Sequence, residues 1–280
     1  MSGAVEERAE MPDFEGLYYE ISGRPDRPWV VLCHGMALDL ENMRPLTTRL
    51  ESDWRVLAWD MPGHGRSVVP AKISTDAFAG LLANLLDGLG ISGAHILGFS
   101  FGGVVAQKLA RGRPDLVSAL VAYGCFAPFH QKSPLPSALV EAAIAPYHVQ
   151  SWPAIQSKFA IACADSEDGR IDAWRASQQT DKLTFLRMTR ALLTSFEFAG
   201  DVRFDCPLLI VRGENDSNGA LIEKAATGLR HAHPDAAEVV IPGAGHCAHR
   251  DASDLLYRAV TDFLYAHPIA CRRRPLSQDK

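Results

Sequence analysis

The sequence predicts an α/β protein built on a mostly parallel central sheet flanked by helices, with a helical segment inserted late in the alternation. Three observations carry this. Short apolar runs such as Trp29–Cys33 and Val117–Tyr123 show no polar alternation, as befits strands buried on both faces, and amphipathic helical stretches separate them. The alternation stops over residues 126–198 and then resumes. A Gly-x-Ser-x-Gly run, Gly98-Phe99-Ser100-Phe101-Gly102, sits between an apolar strand and a helical stretch.

In chain order, residues 17–22 read as an early strand, followed by turn chemistry rich in Gly, Pro and Asp over 23–28. Trp29–Cys33 is a central strand that ends in His34-Gly35-Met36, at the carboxyl end where open α/β sheets bind ligands. A second such strand, Arg55–Trp59, ends in the loop Asp60-Met61-Pro62-Gly63-His64-Gly65-Arg66-Ser67. The next helix is capped by Ser74 or Thr75 and closed by Gly90. Its Phe78, Leu81, Leu82, Leu85, Leu86 and Leu89 follow the spacing of one buried face.

The strand at 95–97 then leads through Gly98–Gly103 into a helix over 104–111 that Pro114 terminates, and Val117–Tyr123 is the following strand. Residues 126–198 hold five prolines, at 128, 134, 136, 146 and 153, and helical stretches around 137–145, 152–164, 172–179 and 182–195. This region reads as a cap over the carboxyl edge of the sheet. Alternation resumes with a strand at 207–211 ending in Arg212-Gly213-Glu214-Asn215-Asp216, a helix at 220–229 and a strand at 238–241. Pro242-Gly243-Ala244-Gly245-His246 and an amphipathic helix at 253–265 complete it. The division expected is a core of residues 1–127 and 199–270, a helical cap of 128–198 and a polar tail of 271–280.

The glycines around Ser100 define what that turn can do. A strand-to-helix turn this tight crowds the backbones two residues either side of the serine, and Gly98 and Gly102 leave the room. The helix that begins there aims its unpaired N–H groups and positive dipole end at whatever the hydroxyl attacks. A dinucleotide-binding loop is set aside, because the spacing is not Gly-x-Gly-x-x-Gly and no strand ending in an acidic residue follows about twenty positions later.

Composition narrows the remaining classes. A chain of 280 residues, 47% hydrophobic, buries a large core, and a net charge of −5 offers no footprint for nucleic acid. The one basic cluster, Arg272-Arg273-Arg274, reads as a solvated terminus. The first residues are acidic and polar, unlike a signal peptide, and no apolar run reaches membrane-spanning length, so a cytoplasmic protein without membrane contact is expected. Cys33, Cys125, Cys163, Cys206, Cys247 and Cys271 lack Cys-x-x-Cys pairing and read as small buried hydrophobes in a reducing compartment; a redox role is weighed only for Cys247, which follows His246. No metal is expected, since His231, His233 and His249 have no carboxylates or cysteines at ligand spacing. His64 reads as a turn residue.

With His34-Gly35, Ser100, Asp216 and His246 all at strand ends, the chain resembles the α/β-hydrolase superfamily over about residues 15 to 266. The resemblance rests on five signals in order: the His-Gly-x loop, the Asp-x-Pro-Gly-His-Gly-x-Ser loop, the Gly-x-Ser-x-Gly turn, Gly-x-x-Asp at a late strand end, and Gly-His before the final helix. It implies the α/β-hydrolase fold, Ser100 as nucleophile, His246 as general base and Asp216 as the carboxylate orienting the imidazole, with Glu214 and Asp205 as alternatives for the last role. It further implies an oxyanion hole from the backbone N–H groups of Met36 and Phe101, and no cofactor. The chain departs from much of the family in Phe99, where histidine is common and where phenylalanine looks more like the cofactor-free haloperoxidase and perhydrolase branch. It departs again in Ser217-Asn218-Gly219, which lacks a proline that many relatives carry.

The chemistry needs these residue types. A serine hydroxyl is a poor nucleophile at neutral pH, so an imidazole must take its proton and a carboxylate must fix the tautomer. The implied function is hydrolysis of a small carboxylic ester or lactone through an acyl-enzyme. Phe126, Phe129, Tyr147, Trp152, Phe159 and Trp174 are the candidate substrate-binding residues of the cap, against the alternative that they only pack it onto the core. Two other functions stay open: carbon–carbon bond hydrolysis of a diketone by the same triad, and a small-molecule receptor that keeps the fold and binds. Oligomeric state has no signature in the sequence.

Overall fold

The computed structural model describes residues 14, 16–129, 135–196 and 202–269. The expected polar tail, with Cys271 and the arginine cluster, lies outside the described residues, as do the acidic and polar first residues.

Seven strands form one sheet: β1 (Tyr19–Ser22), β2 (Trp29–Cys33), β3 (Arg55–Trp59), β4 (Ala94–Phe99), β5 (Val117–Tyr123), β6 (Leu208–Gly213) and β7 (Ala237–Ile241). Their spatial order is β1-β3-β2-β4-β5-β6-β7, with β1 antiparallel to β3 and every other pair parallel. Successive residues of a strand face opposite sides of the sheet. Val31, Cys33, Leu57, Ile96 and Leu120 therefore join one buried cluster, while Val30, Leu32, Val56, Leu97 and Val121 join a second on the other face. Two covered faces are why these runs carry no polar alternation.

The first face is covered by α2 (Thr75–Gly88) and α3 (Phe101–Gly112), through Phe78, Leu82, Leu85, Leu86, Val105 and Leu109, and by α8 (Gly219–Ala232), through Ala225 and Leu229. Ser74 caps α2, accepting the Ala77 N–H at 3.1 Å. On the second face lie α1 (Arg44–Leu50), the single turn α9 (Ala248–Asp251) and α10 (Ser253–Ala266), with Leu46, Leu50, Leu256, Val260 and Leu264 buried. A short 3-10 turn, Pro114–Leu116, follows α3. Neither α1 nor α9 was expected. Each is too short to show helical periodicity, and Pro45 in the first turn of α1 mimics a loop signal.

Four helices fall between β5 and β6: α4 (Ser137–Val149), α5 (Trp152–Cys163), α6 (Glu167–Ser177) and α7 (Lys182–Leu193). Ile155 of α5 and Phe185 of α7 cluster with Met36 and Ala37 from the loop after β2, and Val140 and Ile144 of α4 pack on Leu186 of α7. Helix α6 starts five residues earlier than the expected 172, because Ser166 caps it by accepting the Gly169 N–H at 3.2 Å. The early strand is shorter than expected, since Leu17 pairs instead with Phe14 in an isolated bridge. Among the described residues, no helix is long and apolar enough to cross a membrane.

Candidate active site

The chain leaves β4 at Phe99, turns at Ser100 and enters α3 at Phe101. Ser100 has φ 53° and ψ −117°, and among the described residues only it and Ala37 are non-glycine residues at positive φ. Such a backbone costs about 1–3 kcal/mol and persists only where the surroundings enforce it. Here the flanking glycines make the enforcement possible. A Cβ on Gly98 would lie 2.6 Å from the Gly102 carbonyl oxygen, and one on Gly102 would lie 2.3 Å from the His34 carbonyl oxygen. Ser100 is the N-cap residue of α3, yet its side chain makes no capping bond. The hydroxyl instead reaches His246 Nε2 at 2.9 Å.

The other two members come from the ends of β6 and β7. Beyond β6 the chain is stitched to the loop after β7, with Glu214 N–H donating to the Ile241 carbonyl at 3.0 Å and Asn215 N–H to that of Ala244 at 2.8 Å. This brings Asp216 Oδ2 to 2.7 Å from His246 Nδ1, while Asp216 Oδ1 accepts the Asn218 N–H at 2.8 Å. A carboxylate only accepts, so Nδ1 carries the ring proton and Nε2 presents its lone pair to the Ser100 hydroxyl. Burial pushes the Asp216 carboxyl up, but its bonds from His246 and Asn218 outweigh that and hold it below the usual carboxylate range.

The two alternatives for the acid are placed elsewhere. Glu214 accepts the Gly243 N–H at 2.8 Å on the surface, and Asp205 is exposed before the first residue of β6, at the opposite end of the strand.

His246 is held from below as well. The Tyr123 O–H donates to the His246 carbonyl at 2.9 Å, and the Phe99 ring lies 4.8 Å from the imidazole while stacking on Tyr123 at 4.6 Å. The phenylalanine that departs from the family pattern thus forms the floor beneath the imidazole.

The expected oxyanion donors lie on two segments tied side by side by one bond, from Gly102 N–H to the His34 carbonyl at 3.1 Å. Among the described residues, the N–H groups of Met36 and Phe101 have no protein acceptor. The His34 ring fixes the loop: Nε2 accepts from Met61 N–H at 2.9 Å and Nδ1–H donates to the Gly35 carbonyl at 2.8 Å. That carbonyl belongs to the same peptide unit as the Met36 N–H, so the bond sets the plane in which the N–H points. Full burial pushes His34 down to about 4, keeping it neutral.

Of the cap aromatics, Tyr147, Trp152 and Phe159 surround Phe185, at centroid separations of 5.8, 5.4 and 6.3 Å, in the cluster that includes Met36. Phe126 pairs with Phe196 at 5.9 Å. Phe129 is not brought to this cluster. It is buried in the main core against Phe204, with the Arg111 guanidinium over its ring, because it follows β5 directly rather than sitting on a cap helix. Trp174 packs against the core on the face away from α2 and α3. Phe185 was not expected from the sequence. Its only local signal is that α7 buries Thr184, Phe185, Leu186 and Met188 in near succession, as a helix covered on two sides does.

The remaining histidines and cysteines scatter. His64 is buried in its turn with Nδ1–H facing the Met61 and Pro62 carbonyls, His233 stacks on Phe204 at 4.8 Å, and His249 Nε2–H donates to Asn42 Oδ1 at 2.7 Å. Among the described residues, no group of three or more His, Cys, Asp or Glu could hold a metal ion. Cys247 is fully buried, which pushes its thiol well above the ordinary range and leaves it a poor nucleophile.

Comparison with known proteins shows the family. A family model described as "Alpha/beta hydrolase family" matches residues 30–259. The chain is 29% identical over 220 residues, 71% of its length and 79% of the relative's, to a protein of Stutzerimonas stutzeri (strain A1501) provisionally named as the carbamate hydrolase RutD. It is 26% identical over 254 residues to esterase YbfF of Escherichia coli (strain K12), covering 84% of this chain and 92% of the esterase. Among solved structures, the enol-lactonase of Burkholderia xenovorans LB400 superposes with a TM-score of 0.78 at 22% identity, covering 89% of this chain and 96% of the lactonase, a likeness of fold.

Proposed function

The chain belongs to the alpha/beta hydrolase family and is a hydrolase; from that premise we propose that it cleaves a small carboxylic ester or lactone through an acyl-enzyme on Ser100. The observation that carries the proposal is the continuous set of bonds from Asp216 through His246 to the Ser100 hydroxyl, at 2.7 and 2.9 Å.

In this reading His246 Nε2 takes the Ser100 proton as the oxygen attacks the substrate carbonyl carbon. The negative oxygen of the tetrahedral intermediate is received by the N–H groups of Met36 and Phe101. His246, now a cation stabilised by Asp216, returns the proton to the leaving alkoxide, so the alcohol departs, or stays tethered if the substrate is a lactone. Water then repeats the sequence on the acyl carbon, with His246 again the base, and releases the carboxylic acid.

The cap cluster supports an uncharged, apolar group next to the reacting carbonyl. Met36 contributes its N–H to the proposed oxyanion hole and its side chain to the cluster with Tyr147, Trp152, Phe159 and Phe185, so both functions meet at one residue. Intact-protein and peptide mass spectrometry after brief exposure to a panel of aryl esters and lactones tests the assignment. An acyl mass on the peptide carrying Ser100, absent from Ser100→Ala, is expected. Turnover by the alanine variant at more than a few per cent of wild type would remove Ser100 from the role.

A further inference from the structure

The last turn of α5 and the connector to α6 are bonded to residues flanking both members of the acid–base pair. On the acid side, the Ser217 hydroxyl donates to the Ala162 carbonyl at 2.8 Å, and Asn215 Nδ2 donates to Asp165 Oδ2 at 3.0 Å. On the base side, Cys247 N–H donates to the Cys163 carbonyl at 2.6 Å. The carboxylate of Asp251 then closes the junction. Its Oδ2 accepts from Gly245 N–H and Asp165 N–H, each at 3.0 Å, and its Oδ1 accepts from Ser166 N–H at 2.9 Å and from the Ser166 hydroxyl at 2.6 Å.

Gly245, Asn215, Ser217 and Cys247 are immediate neighbours of His246 and Asp216, so each bond acts on the backbone that aims a triad side chain. The junction is also tightly fitted. A Cβ on Gly245 would meet Asp251 Oδ2 at 3.0 Å and the Asp165 nitrogen at 3.2 Å, and one on Gly169, in the first turn of α6, would meet Ala164 Cβ at 2.6 Å and Arg250 Cβ at 3.1 Å. Ser217 and Asn215, on either side of Asp216, both anchor the acid turn to this segment.

We propose that Asp251 is a positioning residue for the Asp216–His246 pair, acting by locking the 164–166 connector of the cap to Gly245 and so fixing the imidazole over Ser100. This rests on the serine-hydrolase reading of the site. It makes the cap part of the catalytic frame on this side rather than only a wall of the substrate cavity. Four donors converge on one carboxylate, two on each oxygen, and an amide cannot replace it, because whichever way it is turned its NH2 faces at least one backbone N–H.

The test compares wild type, Asp251→Asn, Ser217→Ala and Ser100→Ala on a short-chain p-nitrophenyl ester. Rates are expressed per site titrated by an aryl phosphonate, so that unfolded protein drops out. For Asp251→Asn we expect kcat to fall about ten- to hundredfold with KM within about twofold, the size of effect that a small misplacement of a catalytic group produces. The downfield proton NMR signal of the His246 Nδ1–H bound to Asp216 should broaden or vanish with it. Ser217→Ala, at an exposed position that does not threaten folding, should lower kcat about two- to fivefold, as one lost hydrogen bond does. An unchanged kcat and an intact downfield signal in Asp251→Asn would overturn the proposal and leave the junction a plain tether. Should Asp251→Asn fail to fold, an unchanged kcat and signal in Ser217→Ala would overturn it instead. Undiminished turnover by Ser100→Ala would overturn the serine-hydrolase reading itself, a different failure.

Discussion

Arg175 on α6 grips Asp39 in the loop after β2 with two parallel hydrogen bonds, Nη1 to Oδ2 at 2.7 Å and Nη2 to Oδ1 at 2.8 Å. The Asp39 side chain is only 3% exposed. Burial alone would push its carboxyl up, but the guanidinium, with the Asn42 N–H, holds it below the usual range. Asp39 lies three residues beyond Met36, so this pair joins the cap to the loop proposed to bind the oxyanion.

Removing the cation should therefore cost more than a surface pair would. Arg175→Ala leaves Asp39 buried with the Gln179 amide and the Asn42 N–H as its remaining partners, and we expect a loss of about 2–3 kcal/mol in urea unfolding. A loss below about 0.5 kcal/mol, the scale of exposed pairs, would show that the cap is held by its apolar contacts alone.

At Ser100, stability and activity should move in opposite directions. Glycine has no Cβ to strain at φ 53°, so Ser100→Gly should gain about 1 kcal/mol of stability once the strain relieved is set against glycine's greater chain entropy, while losing turnover. Ser100→Ala should be equally inactive and unfold close to wild type, because it keeps both the strain and the Cβ. Differential scanning calorimetry with an ester assay reads both. A glycine variant clearly less stable than the alanine one would contradict the strain argument.

The acid assignment makes a sharper contrast. Asp216→Asn can stabilise the wrong imidazole tautomer and should lower kcat by about ten-thousandfold, the loss that the same change causes in a serine protease triad. Glu214→Gln should stay within about twofold of wild type, since an amide oxygen can still accept the Gly243 N–H. Matched kinetics on one ester decide it, and the reverse ranking would shift the acid role to Glu214.

What was legible in the sequence and what was not follow from the range of each interaction. β2, β3 and β5 appear at their full extent because a strand covered on both faces must be apolar throughout, and Gly98 and Gly102 are forced by close backbone contacts at the turn. Ser100, Asp216 and His246 were singled out through the family resemblance, each lying in a glycine-containing loop that follows a strand. The contacts that hold the cap were not. Arg175 and Asp39 are 136 residues apart, Asn42 and Asp172 are 130 apart, and a charged residue carries no local mark of a partner so distant. Likewise, Phe129 and Phe159 are the same residue type, and only the packing of their elements sends one to the core and the other to the cap cluster.

Acid should destabilise the fold through its buried histidines. His34 and His95 are pushed by burial down to about 4, and His64 and His249 are pushed well below the ordinary histidine range, again mainly by burial. In the unfolded chain all four titrate near about 6.5. Between these values the unfolded state binds protons that the folded state refuses, so stability rises with pH across the window and falls as pH drops from about 6.5 toward 4. Asp60 works the other way. Burial, against its bonds from Leu40 and Arg66 N–H, pushes its carboxyl up to about 6, so the folded state takes up one proton there before the unfolded chain does. Four groups against one leave about three protons, and at about 1.4 kcal/mol per proton per pH unit the stability should fall by roughly 4 kcal/mol per unit near pH 5. Below that, protonation of Asp39 and Asp216, both held low in the folded state, removes more. Urea unfolding at pH 7.5, 6 and 5 measures the slope. His95→Leu, on β4 and away from the triad, removes a buried ring whose Nδ1 has no partner, and should flatten the slope by about one proton while raising stability at pH 5. A stability that is level from pH 7 to 5, or a slope that His95→Leu leaves untouched, would mean that these histidines are protonated in the folded protein.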